Sequence, residues 1–85
     1  MFNVAWKEKA YRQLQKIRNL HERDSVYDAV GNLVNWPDCR NVKALTNHKW
    51  GYRLRAGRYR ILFDVQTNIQ IIEIQEVKKR DEHTY

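Results

Sequence analysis

Basic side chains are concentrated between positions 49 and 60, where five residues are lysine or arginine and none is acidic. These residues are Lys49, Arg53, Arg55, Arg58 and Arg60. Arginines this close together repel one another unless an anion lies between them, and phosphate is the anion that guanidinium groups fit best. A solvated strand face is the alternative interpretation. The aromatic residues among these cations, Trp50, Tyr52 and Tyr59, nevertheless favour nucleic acid.

A second group of chemically capable residues ends the chain: Lys79, Arg80, His83 and Tyr85. Cleavage of a phosphodiester without metal needs a base, an acid and cations that hold the charge developing on phosphorus. In RNA the 2′-hydroxyl supplies the nucleophile, so these residue types could complete the reaction. Cationic neighbours would favour the neutral form of His83 that a general base needs. A solvated terminal histidine and a packing role for Tyr85 are the alternatives.

Other kinds of active site are poorly supported by the sequence. The histidines His21, His48 and His83 are scattered, and no metal-binding spacing appears among them. Cys39 is the single cysteine, and three glycines are too few for a phosphate-cradling loop. Ser25 is expected at a helix cap, which does not suit a catalytic triad. We therefore expect neither a metal nor a cofactor.

The composition is that of a small basic domain. The chain has 85 residues, a net charge of +6 and a sequence pI of about 9.7. One domain spanning residues 1–85 is expected, with a modest core and an attraction to polyanions. No apolar run approaches the length of a membrane span, and the first residues do not form a signal peptide. These features predict a cytoplasmic protein.

Hydrophobic periodicity predicts a short first strand at 2–5, followed by a helix over 6–19. The apolar positions of that helix lie at helical spacing: Trp6, Ala10, Leu14 and Ile17. Its outer face is basic and includes Lys9, Arg12 and Lys16. We expect this face to be mainly solvated, with a second phosphate-contacting surface as the alternative.

A second helix is predicted to begin at a cap formed by Asp24 or Ser25, because Ser25 and Asp28 resemble a capping box. Its expected buried stripe is Val26, Tyr27, Val30, Leu33 and Val34. Trp36 precedes a proline and should end this helix, since that position disfavours the α conformation. The two helices are thus expected to form a helical hairpin.

The rest of the chain predicts a sheet. After a connector over 38–47, residues 52–55 and 58–65 alternate as two strands around a turn at Ala56–Gly57. Arg58 and Arg60 are expected on the same face as Arg53 and Arg55. A third strand of this sheet follows over 69–77, and its Glu73 or Glu76 could pair with a hairpin arginine. The order β-α-α-β-β-β predicts an α+β fold, a small and mostly antiparallel sheet with the helical hairpin on one face.

The order of elements, together with one sequence motif, resembles the RelE/ParE superfamily of bacterial toxins. The motif consists of Val42-x-x-Leu45 followed by Gly51-Tyr52-Arg53-Leu54-Arg55-x-Gly57-x-Tyr59-Arg60-Ile61-Leu62-Phe63, and a charged tail ends in Tyr85. These toxins belong to type II toxin–antitoxin modules. RelE-like members cleave mRNA in the ribosomal A site by 2′-hydroxyl attack, and ParE-like members poison DNA gyrase.

The resemblance also implies roles for individual residues. Arg60 matches an arginine of the second hairpin strand, Arg53 a lysine of the first, and Tyr85 the terminal tyrosine. Lys79 falls where a RelE-like toxin has arginine, and Arg80 takes that place with a shift of one residue. Gly51 falls where another basic residue is found, so Arg55 or Lys49 would substitute for it. The residues implied in catalysis are Arg53, Arg60, Lys79, Arg80, His83 and Tyr85. Those implied in RNA binding are Lys49, Arg55, Arg58, Lys9, Arg12 and Lys16.

The resemblance implies a metal-independent, ribosome-dependent mRNA endonuclease that inhibits translation. Its implied partners are an acidic antitoxin, the mRNA and the ribosomal RNA, with operator DNA reached only through the antitoxin complex. Two alternatives remain open at the level of sequence: a gyrase poison, and a basic nucleic-acid-binding module without catalysis. Arginines on both hairpin strands and the His-Thr-Tyr end favour the nuclease over the gyrase poison.

Overall fold

Five strands and two helices make up most of residues 1–80, the part of the chain that this computed structural model describes. In chain order they are β1 (Asn3–Trp6), α1 (Glu8–Gln15), α2 (Leu20–Gly31), a short 3-10 helix (Asn32–Asn35), β2 (Val42–Ala44), β3 (Tyr52–Ala56), β4 (Tyr59–Gln66) and β5 (Ile71–Lys79). The strand order in the sheet is β1-β5-β4-β3-β2. β1 runs parallel to β5, and all other neighbours are antiparallel. The predicted fold class is confirmed, with one extra strand, β2, inside the predicted connector.

The first helix is shorter than the sequence predicted. Trp6 belongs to β1, where it pairs with Ile74, and the backbone N–H of Lys7 continues that ladder by donating to the Ile74 carbonyl at 3.0 Å. Helix α1 therefore starts only at Glu8 and ends at Gln15. A helical hairpin still forms, but its first helix is shorter at both ends: it begins two residues later than expected, where β1 ends, and stops four residues earlier.

The second helix begins earlier than predicted. The side chain of Asn19 accepts a hydrogen bond from the backbone N–H of Glu22 at 3.0 Å and so caps α2. Asp24 and Ser25 lie inside the helix, and the prediction that one of them forms the cap is wrong. The predicted burial of Tyr27 is also wrong, because 54% of this residue is exposed.

The core lies between the helices and one face of the sheet. Each residue in it is at most 9% exposed, and together they come from every layer of the fold: Phe2, Ala10, Leu14, Ile17, Val26, Val30, Leu33, Leu54, Ile61, Phe63, Ile72, Ile74 and Val77. Trp36 closes one end of the core, with its ring 4.8 Å from Tyr52 and 5.7 Å from Phe63 between centroids. Because strand residues alternate between faces, their neighbours in sequence must lie on the other face of the sheet. We call that side the open face.

Local geometry fixes how β3, β4 and β5 are aligned. Ala56 pairs with Tyr59, so the hairpin turn is Gly57–Arg58, one residue later than predicted. Gly57 has a φ of 60°, a left-handed conformation that glycine adopts at little cost. A register shift between β4 and β5 falls at Leu62/Phe63.

Within residues 1–80, neither α-helix has the length and apolar composition of a membrane span.

Candidate nucleic-acid interface

Two rows of side chains cross the open face at the β3–β4 hairpin. Arg55 of β3 pairs with Arg60 of β4, which in turn pairs with Lys78 of β5. In the next row Lys43 of β2 pairs with Arg53 of β3. Cross-strand neighbours have Cβ atoms about 5 Å apart, so these cations are held close together by the backbone itself. The alternation of the hairpin thus concentrates positive charge on one side of the sheet.

Arg53 lies at the centre of this charge. It is only partly exposed, and its Nε atom is buried and has no hydrogen-bond partner within residues 1–80. Burial lowers the pKa of the Arg53 guanidinium, and the charges of Arg55, Arg60 and Arg80 lower it further. Among the described residues, none of these four arginines forms an ion pair with a carboxylate. We call Arg53, Arg55, Arg60 and Arg80 the arginine cluster.

A buried carboxylate lies beside the arginine cluster but is bound elsewhere. Glu76 is 7% exposed and accepts a hydrogen bond from the indole Nε1 of Trp50 at 2.8 Å. Lys9 and Lys78 place their ammonium groups 3.6 Å and 3.7 Å from its other oxygen. The hydrogen bond from Trp50 is the main cause of a lowered pKa of Glu76; the two lysines add to it, and burial opposes it. Glu76 is therefore an anion whose oxygens are already bound by the Trp50 indole and two lysines.

The indole of Trp50 forms a boundary on the open face. Trp50 precedes β3, whereas Glu76 belongs to β5, so the indole must pass over β4, which lies between them. Leu62 of β4 is the cross-strand partner of Glu76 and is only 5% exposed although it faces away from the helices. Lys49 lies over the indole ring, with its Nζ 4.9 Å from the ring centroid.

Acidic residues occupy the far side of this boundary. Asp64 accepts hydrogen bonds from the backbone N–H of Gly51 at 2.8 Å and from the Gln75 amide at 3.4 Å. Glu73 forms an ion pair with Lys7 at 3.7 Å. The predicted pairing of a β5 glutamate with a hairpin arginine is wrong, because among the described residues the cations that pair with Glu73 and Glu76 are all lysines. The open face is consequently divided into a basic and an acidic part.

Two residues assigned to the site from sequence lie away from the arginine cluster. Arg58 is in the hairpin turn, and its Nε and Nη2 both lie 3.1 Å from a carboxylate oxygen of Glu22 in α2. The expectation that Arg58 shares a face with Arg60 is therefore wrong. Lys79 pairs with Tyr59 on the helix side of the sheet, where it lines a cavity of about 250 Å³. Arg80 instead reaches the cluster, after its backbone N–H donates to the Arg58 carbonyl at 2.6 Å.

The remaining predicted residues have diverse surroundings. Lys9 is bound to Glu76, and Arg12 forms an ion pair with Glu8 one helical turn away at 2.8 Å. Lys16 is exposed at the end of α1. His83 and Tyr85, which the sequence assigns to proton transfer, lie outside the described residues.

Three residues of this surface were not predicted from the sequence: Lys43, Lys78 and Trp50 in its role as the donor to Glu76. Extending the alternation of β5 by two residues beyond Glu76 would have found Lys78. Lys43 was hidden because β2 was not predicted, and no local pattern joins Trp50 to a residue 26 positions later. No group of histidine, cysteine and acidic residues suited to a metal ion occurs within residues 1–80. The chemistry available on the described surface is that of binding and neutralising an anion.

Solved RelE toxins share this fold. The toxin–antitoxin complex RelBE2 from Mycobacterium tuberculosis matches with a TM-score of 0.77 and 24% identity, over 93% of this chain and 98% of that one. The archaeal RelE–RelB complex from Pyrococcus horikoshii OT3 gives 0.78 and 22%, over 95% and 97%. The isolated Escherichia coli RelE toxin gives 0.81 and 14%, over 99% and 89%. No protein-family model and no curated protein matches the sequence. The chain thus has the fold of the RelE toxins.

Proposed function

We propose that this protein is the toxin of a type II toxin–antitoxin pair and that it cleaves mRNA on the ribosome. One observation carries the proposal: four arginines converge on the open face of a RelE fold, and within residues 1–80 no carboxylate neutralises them. Such a cluster is costly to keep in a protein that binds no anion. An RNA backbone, which carries one negatively charged phosphate per nucleotide, would supply this anion.

In the proposed reaction the 2′-hydroxyl of the RNA attacks the adjacent phosphorus, and the 5′-oxygen of the next nucleotide leaves. Negative charge grows on the phosphoryl oxygens during this step. Arg55 and Arg60 are exposed and paired across two strands, so they can hold those oxygens from one side. The partly buried Arg53 adds a charge that water screens less. The cleaved strand would carry a 2′,3′-cyclic phosphate and a 5′-hydroxyl.

Proton transfer in this scheme belongs to the end of the chain. Arg80 would add charge to the cluster, and His83 and Tyr85 would serve as base, acid or stacking partner. Lys79, which the sequence included among these residues, lies on the helix side and is not part of the proposed reaction. Lys49 would contact a flanking phosphate. Lys78, the cross-strand partner of Arg60, would add a further positive charge beside the cluster.

Ribosomal RNA and an acidic antitoxin are the proposed partners. Arg12 and Lys16 are exposed on α1 and would give sequence-independent contacts with ribosomal RNA in the cytoplasm. The antitoxin would cover the arginine cluster with carboxylates and fold as it binds. Binding of operator DNA would occur only through the antitoxin. Two of the similar structures are complexes with RelB, which supports a partner of that kind for this chain.

Primer extension on mRNA from expressing cells tests the proposal. The wild type should produce cuts in translated messages, and Arg60→Ala should reduce them about 100-fold or more while ribosome binding persists. Arg18→Ala is the matched control, because Arg18 is an exposed arginine between the helices and outside the proposed site.

The rival functions predict different results. Uncut mRNA together with an induced DNA-damage response would indicate a gyrase poison. A non-catalytic binding module would show loss of ribosome binding in proportion to any loss of growth inhibition in Arg60→Ala. Either result would contradict the proposed nuclease.

A further inference from the structure

A cavity of about 300 Å³ opens at the edge of the sheet next to the arginine cluster. The end of α2, the 3-10 helix, the segment before β2 and the strand β3 enclose it. The lining residues that matter here are Asn32, Asn35, Cys39, Asn41, Leu54 and Arg55. None of the contacts described so far uses this space.

The lining combines an apolar wall with amides. Leu54 is buried and Cys39 is half-buried, so they present apolar surface to the cavity. Asn32, Asn35 and Asn41 are exposed, and their side-chain amides have no hydrogen-bond partner within the described residues 1–80. An amide offers a donor and an acceptor side by side, which is the pattern that the edge of a nucleobase complements.

Arg55 connects this cavity to the arginine cluster. Arg55 is one of the residues that line the cavity, and its cross-strand partner is Arg60. The backbone N–H of Arg55 donates to the Asn41 carbonyl at 3.0 Å, which fixes the loop beside it. Asn41 is held in a left-handed conformation with a φ of 62°. The cavity is lined by residues of the helix side, whereas the cluster lies on the open face, so an RNA strand that reaches both must turn around the edge of the sheet at Arg55.

We propose that this cavity takes one unstacked nucleobase of the RNA strand whose phosphate lies on the arginine cluster. Sequence-specific recognition of RNA generally uses bases turned out of the stack and read along their edges. The amides would read the edge, and Leu54 and Cys39 would cover the face of the ring. The cavity would thereby give the protein a base preference that the arginines cannot supply. This inference rests on the proposed function, because it requires RNA at the arginine cluster.

Cys39 provides a direct probe of occupancy. It is the only cysteine of the chain, and its thiol lies 3.7 Å from the Asn32 carbonyl. Burial raises the pKa of Cys39 and Asp38 raises it further, so alkylation with iodoacetamide is best followed at about pH 9 by mass spectrometry. The probes are short 2′-O-methyl oligonucleotides, which resist cleavage, and an abasic oligonucleotide with the same number of phosphates. Fluorescence anisotropy at low salt measures the binding of each probe to the full chain.

At saturation, oligonucleotides with bases should slow alkylation of Cys39 about tenfold, and the abasic one should leave it unchanged. Equal protection by both probes, or none by either despite saturated binding, would overturn the base pocket and leave the phosphate site standing. Absence of binding by both probes would overturn the pocket and the proposed RNA site together.

A pair of substitutions gives an independent test. Asn35→Ala should weaken binding of the base-bearing oligonucleotide about tenfold and leave the affinity for the abasic one unchanged. Asn68→Ala, in the exposed turn before β5, is the matched control and should change neither affinity. A purely structural effect of Asn35→Ala would weaken both probes alike, and that result would count against base recognition.

Discussion

Replacing Arg53 by methionine tests whether repulsion within the arginine cluster destabilises the free protein. The Arg53 guanidinium is partly buried, its Nε lacks a hydrogen-bond partner within residues 1–80, and three arginines lower its pKa. Methionine keeps most of the apolar stem and removes the charge. We therefore expect Arg53→Met to raise the free energy of unfolding at low salt, although it removes a group proposed to hold the phosphate.

The size of the effect follows from the spacing of the charges. Arg60 is a diagonal cross-strand neighbour of Arg53, and Arg55 lies two residues away on the same strand, so in each pair the Cβ atoms are about 7 Å apart. Two unit charges about 7 Å apart repel by about 0.6 kcal/mol in bulk water. Arg55, Arg60 and Arg80 are exposed, so water screens their charges and the bulk value is the appropriate one. Two such pairs sum to about 1.2 kcal/mol, and Arg80, which follows β5, adds less. Relaxation of the exposed side chains should leave a net gain of about 1 kcal/mol.

Urea unfolding followed by circular dichroism is the suitable assay, because urea leaves the ionic strength unchanged. The gain should shrink to a few tenths of a kcal/mol at about 0.5 M salt, where the Debye length is shorter than the spacing of the charges. Inorganic phosphate should stabilise the wild type more than Arg53→Met. Arg18→Met should change little under every condition. If Arg53→Met is instead less stable by about 1 kcal/mol in low salt with an unchanged slope, the guanidinium is satisfied and the argument from repulsion is refuted.

Three further predictions concern the frame around the site. Trp50→Phe should lower the free energy of unfolding by about 1.5–3 kcal/mol at neutral pH, because it leaves Glu76 without its hydrogen-bond donor. The folded-state pKa of Glu76 is lowered, so this loss of stability should fade as the pH falls through that pKa. An equal loss in acid would contradict the role of the hydrogen bond. Gly57→Ala should destabilise the fold by about 1–2 kcal/mol, because Gly57 has a positive φ. Gly31→Ala should stabilise it by about 0.5–1 kcal/mol in the same urea series, because Gly31 has a negative φ and a Cβ there would meet no other atom. Changes in unfolding free energy of the same sign and size for both variants would contradict this reasoning. Burial raises the pKa of Tyr59, so ultraviolet titration should show a late phenol step that is missing from Tyr59→Phe.

The hairpin and its arginines could be predicted from sequence because their determinants are local. Alternation along β3 and β4 assigns Arg53, Arg55 and Arg60 to one face once the hairpin exists. The turn was predicted one residue too early, since a glycine can occupy either position of a two-residue loop. Arg58 was misplaced with the turn. In the structure it belongs to the loop, from which its side chain reaches α2.

The helix boundaries depend on distant parts of the chain. Asn19, Asp24 and Ser25 are all good capping residues, and their types alone do not determine which of them starts α2. The choice depends on where α1 ends, and α1 itself cannot begin before β1 ends at Trp6 against β5. β1 covers only the first half of its edge of β5, and on the rest of that edge Gln13 of α1 accepts from the Val77 backbone N–H at 2.7 Å. Such contacts join residues far apart in sequence, so periodicity carries no trace of them.

The contacts of Glu76 explain why the arginine cluster has no counter-ion within the described residues, although the same face of the sheet carries carboxylates. Glu76 lies one row from Arg60 on the open face, and without other partners it would be the natural counter-ion of the arginine cluster. The indole of Trp50 and the ammonium groups of Lys9 and Lys78 bind it instead. The positive charge of the cluster therefore remains available to a ligand because residues from α1, β5 and the loop before β3 satisfy the nearest anion. On this argument Glu76→Gln should leave phosphate binding by the arginines intact, whereas removal of the indole should weaken it by freeing a carboxylate to reach them.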